Sequence, residues 1–150
     1  MSLITEISTI VTALYPSATF VLSSKFQANI ESYFTDPSAL PLIVLDNELS
    51  KQASIQKNNN VLKDSKILIS FLNLDSLENT DLQSETIRSE MEAMADRVAA
   101  QIYQLVPCRL ITGNQKYKIT PMFHVYNTNM TGVALEMQAN YNEIVNFDIV

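Results

Sequence analysis

An α+β domain, with an antiparallel sheet carrying its helices on one face, is predicted by three features of the sequence. A long segment of clean helical period, Asn79 to Leu105, stands in mid-chain. β-prone runs cluster before it and after it rather than alternating with further helices. The final run, Val133 to Tyr141, alternates apolar and polar residues with the period of a half-buried strand.

In the long segment, Ile87, Met91, Met94, Val98, Ile102 and Leu105 fall 4, 3, 4, 4 and 3 apart, one stripe of an α-helix. Glu85, Arg88, Glu92, Asp96 and Gln101 occupy the opposite, water-facing side. Thr80 followed by Gln83 matches a capping box, and Glu78, Asp81 and Glu85 bring negative charge to the positive end of the helix dipole. Pro107 stops the helix beyond Leu105. The stripe carries no reactive group, so the helix is expected to brace the domain rather than to act.

Ahead of it, Leu3, Ile7, Ile10 and Leu14 recur at spacings of 4, 3 and 4, an amphipathic helix ended by Pro16, with Ser2 placed to cap it. Thr19 to Leu22 reads as a short edge strand. Phe26, Ile30 and Phe34 have helical spacing, yet the β-branched and aromatic content of Lys25 to Phe34 also fits an extended segment. Leu42 to Leu45 is continuously apolar between Pro41 and Asp46, the signature of a strand buried on both faces. Glu48 to Asp64 is polar, and its ends extend the neighbouring strands into a long hairpin arm. Lys66 to Leu74 is a central strand, with Ile67, Ile69 and Phe71 on one face and Leu68, Leu72 and Leu74 on the other.

After the long helix come a short strand at Arg109 to Thr112 and a Gly113-Asn114 turn into Lys116 to Thr120. Met122 to Tyr126 is expected to pair antiparallel with Val133 to Tyr141 across the polar connection Asn127 to Gly132. The tail, Ile144 to Val150, has enough apolar content to add an edge strand or dock on a neighbour.

Composition bounds the function. A chain of 150 residues is read as one domain, residues 1–150, able to bury roughly 70% of its unfolded surface. A formal charge of −6 argues against nucleic-acid binding, which requires clustered Lys and Arg. Two glycines leave little room for phosphate-cradling loops. Cys108 is the only cysteine, so no intrachain disulfide is expected, and Met1 to Tyr15 looks like neither a leader peptide nor a membrane span. An intracellular soluble protein is the expectation.

Chemistry is sparse. His124 is the only histidine, and a lone histidine within a strand is usually a surface or core residue. Zinc would need more nitrogen and sulfur ligands than His124 and Cys108. Cys108 lacks an evident base, since Arg109 beside it points away in an extended chain. Glu92 and Asp96, four apart, match the spacing of a hard-cation site but also that of an ordinary solvated helix face. No catalytic residue, cofactor or metal is assigned, and no enzyme activity is expected. An interaction role suits the sequence better. The polar arm, with Lys51, Gln56, Lys57, Asn58, Asn59 and Asn60, offers hydrogen-bonding groups to a partner, although a mobile hairpin tip has the same composition. The methionines Met91, Met94, Met122, Met130 and Met137 suit an adaptable interface, though core filling is the commoner use of such residues.

The order of these elements, with Tyr15-Pro16 closing the first helix, Leu40-Pro41-Leu42-Ile43-Val44 before a polar arm, the acidic-start helix Asp81–Leu105, and Asn129-Met130-Thr131-Gly132-Val133-Ala134-Leu135-Glu136 turning into the last strand, resembles the tail-terminator and neck (head–tail joining) proteins of tailed bacteriophages, of the type found in Bacteroidetes phages. The resemblance covers nearly the whole chain as an element order, through short and permissive motifs. It implies a twisted antiparallel sheet packed against the N-terminal helix and the long central helix. It further implies a homo-oligomeric ring, usually a hexamer, at the head-proximal end of the tail tube. The partners would be the tube protein and the neck or connector protein, and DNA would pass through the lumen without specific binding. The location would be the virion, with the host cytoplasm during assembly and no membrane. The residues this assigns to interfaces are the arm together with Phe123, Tyr126 and Phe147. A protein-binding adaptor of a contractile-injection or secretion assembly fits the same architecture.

Overall fold

The computed structural model describes residues 3–22, 41–46, 51–56, 60–105, 117–125 and 130–144. Two helices are present among these, α1 (Leu3–Leu14) and α2 (Asp81–Leu105). The strands are β1 (Thr19–Leu22), β2 (Leu42–Leu45), β3 (Lys51–Gln56), β4 (Asn60–Leu74), β5 (Tyr117–Val125) and β6 (Met130–Ile144). The expected α+β class holds. The expected segments at Lys25–Phe34 and Arg109–Thr112, the Gly113-Asn114 turn and the tail beyond Ile144 lie outside the described residues.

The strands form one sheet in the order β1-β2-β4-β6-β5, with β3 also pairing β4. The sheet departs from the antiparallel expectation in one pair: β1 runs parallel to β2, with Thr19 opposite Leu42 and Leu22 opposite Leu45. A parallel pair requires a crossover of a dozen or more residues, and residues 23–41 provide that length. All other pairings are antiparallel.

β4 and β6 are the spine. Their pairing is continuous from Asn60 opposite Ile144 to Leu74 opposite Met130. On its other side β4 takes two partners in succession: β3 along Asn60–Ser65 and β2 along Ile69–Leu72. The body of the domain therefore surrounds the second half of β4, and the first half runs out into an arm of β3, β4 and β6.

Side-chain alternation explains the core. Ile67, Ile69 and Phe71 on β4, Val133, Leu135 and Met137 on β6, and Ile43 and Leu45 on β2 share the helix-covered face and are buried. Ile7, Ile10 and Val11 of α1 and Met91, Ala95, Val98, Ala99 and Ile102 of α2 close over them. The predicted stripe is thus correct in phase and gains the small residues Ala95 and Ala99, whose size lets the helix approach the sheet. On the opposite face Leu42, Val44, Leu72 and Met130 are also buried, so β2 is covered on both sides as its unbroken apolar run requires.

The capping box forms as expected: the Thr80 amide donates to Gln83 Oε1 at 2.8 Å, and the Gln83 amide donates to Thr80 Oγ1 at 3.3 Å. Pro121 lies within β5, where a central strand would lose a ladder bond; β5 pairs only with β6, and its register breaks between Met122 and Val125. Beside that irregularity, Gly132 meets the β4 backbone so closely that a Cβ would lie 1.8 Å from the Phe71 carbonyl oxygen.

One buried polar group ties the turn after β4 to the start of β6. Asp75 is fully buried. Its Oδ2 accepts from the Thr131 hydroxyl at 2.6 Å and its Oδ1 from Asn79 Nδ2 at 2.7 Å. Hydrogen bonds to a charged group stabilise by about 1.5–3 kcal/mol each, and a buried carboxylate requires them.

Gly132→Ala is expected to destabilise the fold by at least about 3 kcal/mol, since backbone rather than a movable side chain occupies the space; urea unfolding measures it. Asp75→Ala should cost about 3 kcal/mol. In a cycle with Thr131→Val the two changes should combine to less than their sum, because they share one hydrogen bond.

Candidate interaction arm

The arm is built by three strands. In β3, Lys51 lies opposite Ser65, Ala53 opposite Lys63, Ile55 opposite Val61 and Gln56 opposite Asn60. β6 covers the other edge, from Ala139 opposite Ser65 to Ile144 opposite Asn60. Directly opposed residues share a face, so Ile55 and Val61 are on one side of the arm. By parity this is also the side on which the helices cover the body. Val61 is buried there, whereas Ile55 is 79% exposed. At about 3.3 Å per residue the arm extends roughly 20 Å beyond the buried cluster that begins at Ile67.

The expected interface residues separate into two places. Lys51, Gln56 and Asn60 all belong to the arm, but only Gln56 and Asn60 are paired; Lys51 is opposite Ser65, at the other end of β3. Lys57, Asn58 and Asn59, which connect β3 to β4, lie outside the described residues, as do Tyr126 and Phe147. Phe123 is exposed on β5, at the irregular end of its pairing with β6 and near Gly132, at the far end of the sheet from the arm. Arm and Phe123 do not form one surface.

Where the arm joins the body, charge is arranged across strands. Lys66 Nζ lies 2.7 Å from Glu136 Oε1, and Lys118 is directly opposite Glu136 on β5. The hydrogen bond from Lys66 holds the Glu136 carboxyl below its usual range, with the positive charges of Lys66 and Lys118 acting in the same direction.

The helix acids considered as a cation site have structural partners instead. Arg88 Nε donates to Glu85 Oε2 at 2.9 Å, and its Nη1 lies 3.3 Å from Glu92 Oε2. The same contacts raise the Arg88 pKa, and the hydrogen bond from Arg88 lowers that of Glu85. Asp96 accepts from the Tyr117 hydroxyl at 2.8 Å, fastening the start of β5 to α2. The Arg97 guanidinium lies 5.9 Å from the centre of the Tyr15 ring, joining α2 to the end of α1. Among the described residues no three His, Cys, Asp or Glu side chains gather as a metal site, and no helix is long and apolar enough to cross a membrane. His124 lies on β5; Cys108 is outside the described residues.

Sequence reasoning missed a second exposed apolar place, the corner between β4 and α2. Leu77 is 72% exposed and Leu82 76% exposed, and Leu74 beside them is also exposed. The signal was present in Leu82. It lies five residues before Ile87, about 140° around the helix from the buried stripe.

The hydrogen bond to Asp96 raises the Tyr117 pKa by favouring the neutral phenol, and burial and the nearby charges of Asp96 and Glu92 act in the same direction. Its contribution to stability is thus present below the pKa of a free tyrosine and is lost as pH rises through the folded value. Tyr117→Phe should remove a late-titrating step from the ultraviolet titration of the folded protein and flatten the loss of stability at alkaline pH.

Comparison with protein-family models finds no match to this chain, and comparison with curated proteins finds none either.

Proposed function

We propose that the protein is a structural virion component. It forms a ring at the head-proximal end of a phage tail tube and joins the tail to the neck or connector. The observation that carries the proposal is the arm. A domain of this size has placed half of its two longest strands outside its helix-covered core and ends them with the exposed Ile55 and an outer strand, β3. An outer strand and an exposed large apolar side chain are costly in an isolated subunit, because both invite association. In a ring, they are covered by a neighbour or by the tube. The acidic balance of −6 suits a lumen through which DNA moves without being held. The role resides in shape and contact surfaces, and the element order of the tail-terminator and neck proteins supports the same reading.

Negative-stain electron microscopy of the concentrated protein, alone and with purified tail tubes, tests the proposal. Closed rings with a central hole, or caps on one end of the tubes, are expected. Deleting residues 51–64 should abolish them. Monomers that ignore tube ends would overturn the reading.

A further inference from the structure

Exposed apolar side chains collect at the end of the sheet away from the arm. Leu74 ends β4 opposite Met130, and Met130 is opposite Val125 on β5. Between the Met122–Gly132 and Val125–Met130 pairs β5 uses one residue more than β6, and Phe123 lies in that bulge. Leu74 and Phe123 are therefore two strand spacings apart, roughly 10 Å between backbones. Asn73 is opposite Thr131, and the hydrogen bonds of Thr131 and Asn79 to Asp75 bring the start of α2, with Leu77 and Leu82, to the same place. Four of the eight exposed large apolar side chains among the described residues thus share one end, a density that marks an interaction surface.

Residues 73–87, 119–125 and 130–135 build this end, and they include four acids and no Lys or Arg. Of these acids, Asp75 is consumed inside the Thr131–Asn79 network and Glu85 is held by Arg88. Glu78 and Asp81 are exposed beside Leu77 and Leu82. We propose that this end is a docking site for a second protein, one that presents an apolar segment flanked by lysine or arginine. Charge complementarity selects that occupant. A two-fold contact with another copy would set Glu78 and Asp81 against themselves. On the body of another copy, Lys66 and Lys118 flank Glu136, Arg88 holds Glu85 and Glu92, and Arg97 lies over Tyr15. A different protein with unengaged cations is the better complement. The Asp75 network fixes the start of α2 against β6, so the site is held by the fold rather than formed on contact. The proposal stands apart from the ring reading, which rests on the arm.

The chain has no tryptophan, so one introduced tryptophan reports on one surface. Leu82→Trp labels the proposed site, and Ile55→Trp labels the exposed apolar position of the arm as a control. The probes are two synthetic amphipathic helical peptides with the same leucine face, one with lysine and one with glutamate on the polar face. The lysine peptide should shift the L82W emission to shorter wavelength in a saturable titration that weakens with salt. The glutamate peptide should bind at least about tenfold more weakly. The emission of the Ile55→Trp chain should stay unchanged with either. Added to the L82W chain, Glu78→Gln with Asp81→Asn, and separately Leu77→Ser with Phe123→Ser, should each raise Kd at least about tenfold. All of these side chains are exposed, and circular dichroism confirms that each variant folds. Equal binding of both peptides, or a titration indifferent to both pairs of changes, would overturn the site. So would the same response from the Ile55→Trp chain, which would report general attraction to an acidic protein. An L82W emission that shifts with the protein's own concentration would identify a second copy as the occupant and overturn the choice of partner. Ring formation in electron microscopy is scored separately, so this site and the ring reading can fail independently.

Discussion

A slip of one residue in the ladder between β4 and β6 would turn Ile67, Ile69 and Phe71 away from the helices and put Leu68 and Ser70 in their place. The continuous pairing from Asn60–Ile144 to Leu74–Met130 prevents this, and most of the molecule takes its position from that register. At one end the Asp75–Thr131 hydrogen bond locks the last pairs. Gly132 allows the backbones to approach there as no other residue would. At the level of Lys66 and Glu136 an ion pair links the strands diagonally where they leave the body. The helices then need only cover a face whose residues are already fixed.

Periodic features were legible in the sequence, and those that depend on direction or distance were not. The stripe of α2 and its Thr80–Gln83 cap follow from local spacing, and local spacing survives folding unchanged. The apolar run Leu42–Leu45 showed that both faces of β2 would be covered, but not which way its neighbour would run. Alternation is the same in parallel and antiparallel strands, and so the parallel β1 pairing could not be read. Asp75 resembled any turn residue next to a strand. Its burial depends on Thr131, fifty-six positions later, and no local pattern contains that information.

The candidate site was legible in part for the same reason. The arm was evident as a polar stretch between strand-forming runs, and Lys51, Gln56 and Asn60 belong to its strands. Phe123 was grouped with them through the resemblance, as part of a sheet-edge segment meeting a neighbour, and the topology sends it to the other end. The β4–α2 corner escaped notice because Leu77 and Leu82 look like ordinary flanks of a helix start. Leu77 precedes α2, and the phase of α2 sets Leu82 away from its buried stripe.

The way β2 and β3 share one side of β4 also has a mechanical consequence. β2 ends its pairing at Ile69 and β3 begins at Ser65, and the Asp46 amide donating to the Leu68 carbonyl is the last body contact before the join. Among the described residues, β4 and β6 are the strands that pass without interruption from body to arm. A load applied at the arm tip therefore travels along two covalent chains directly into the strands that carry Ile67, Phe71 and Leu135. Loads along the strands are borne by these chains in tension. Along the strands the described arm is thus tied to the core through β4 and β6.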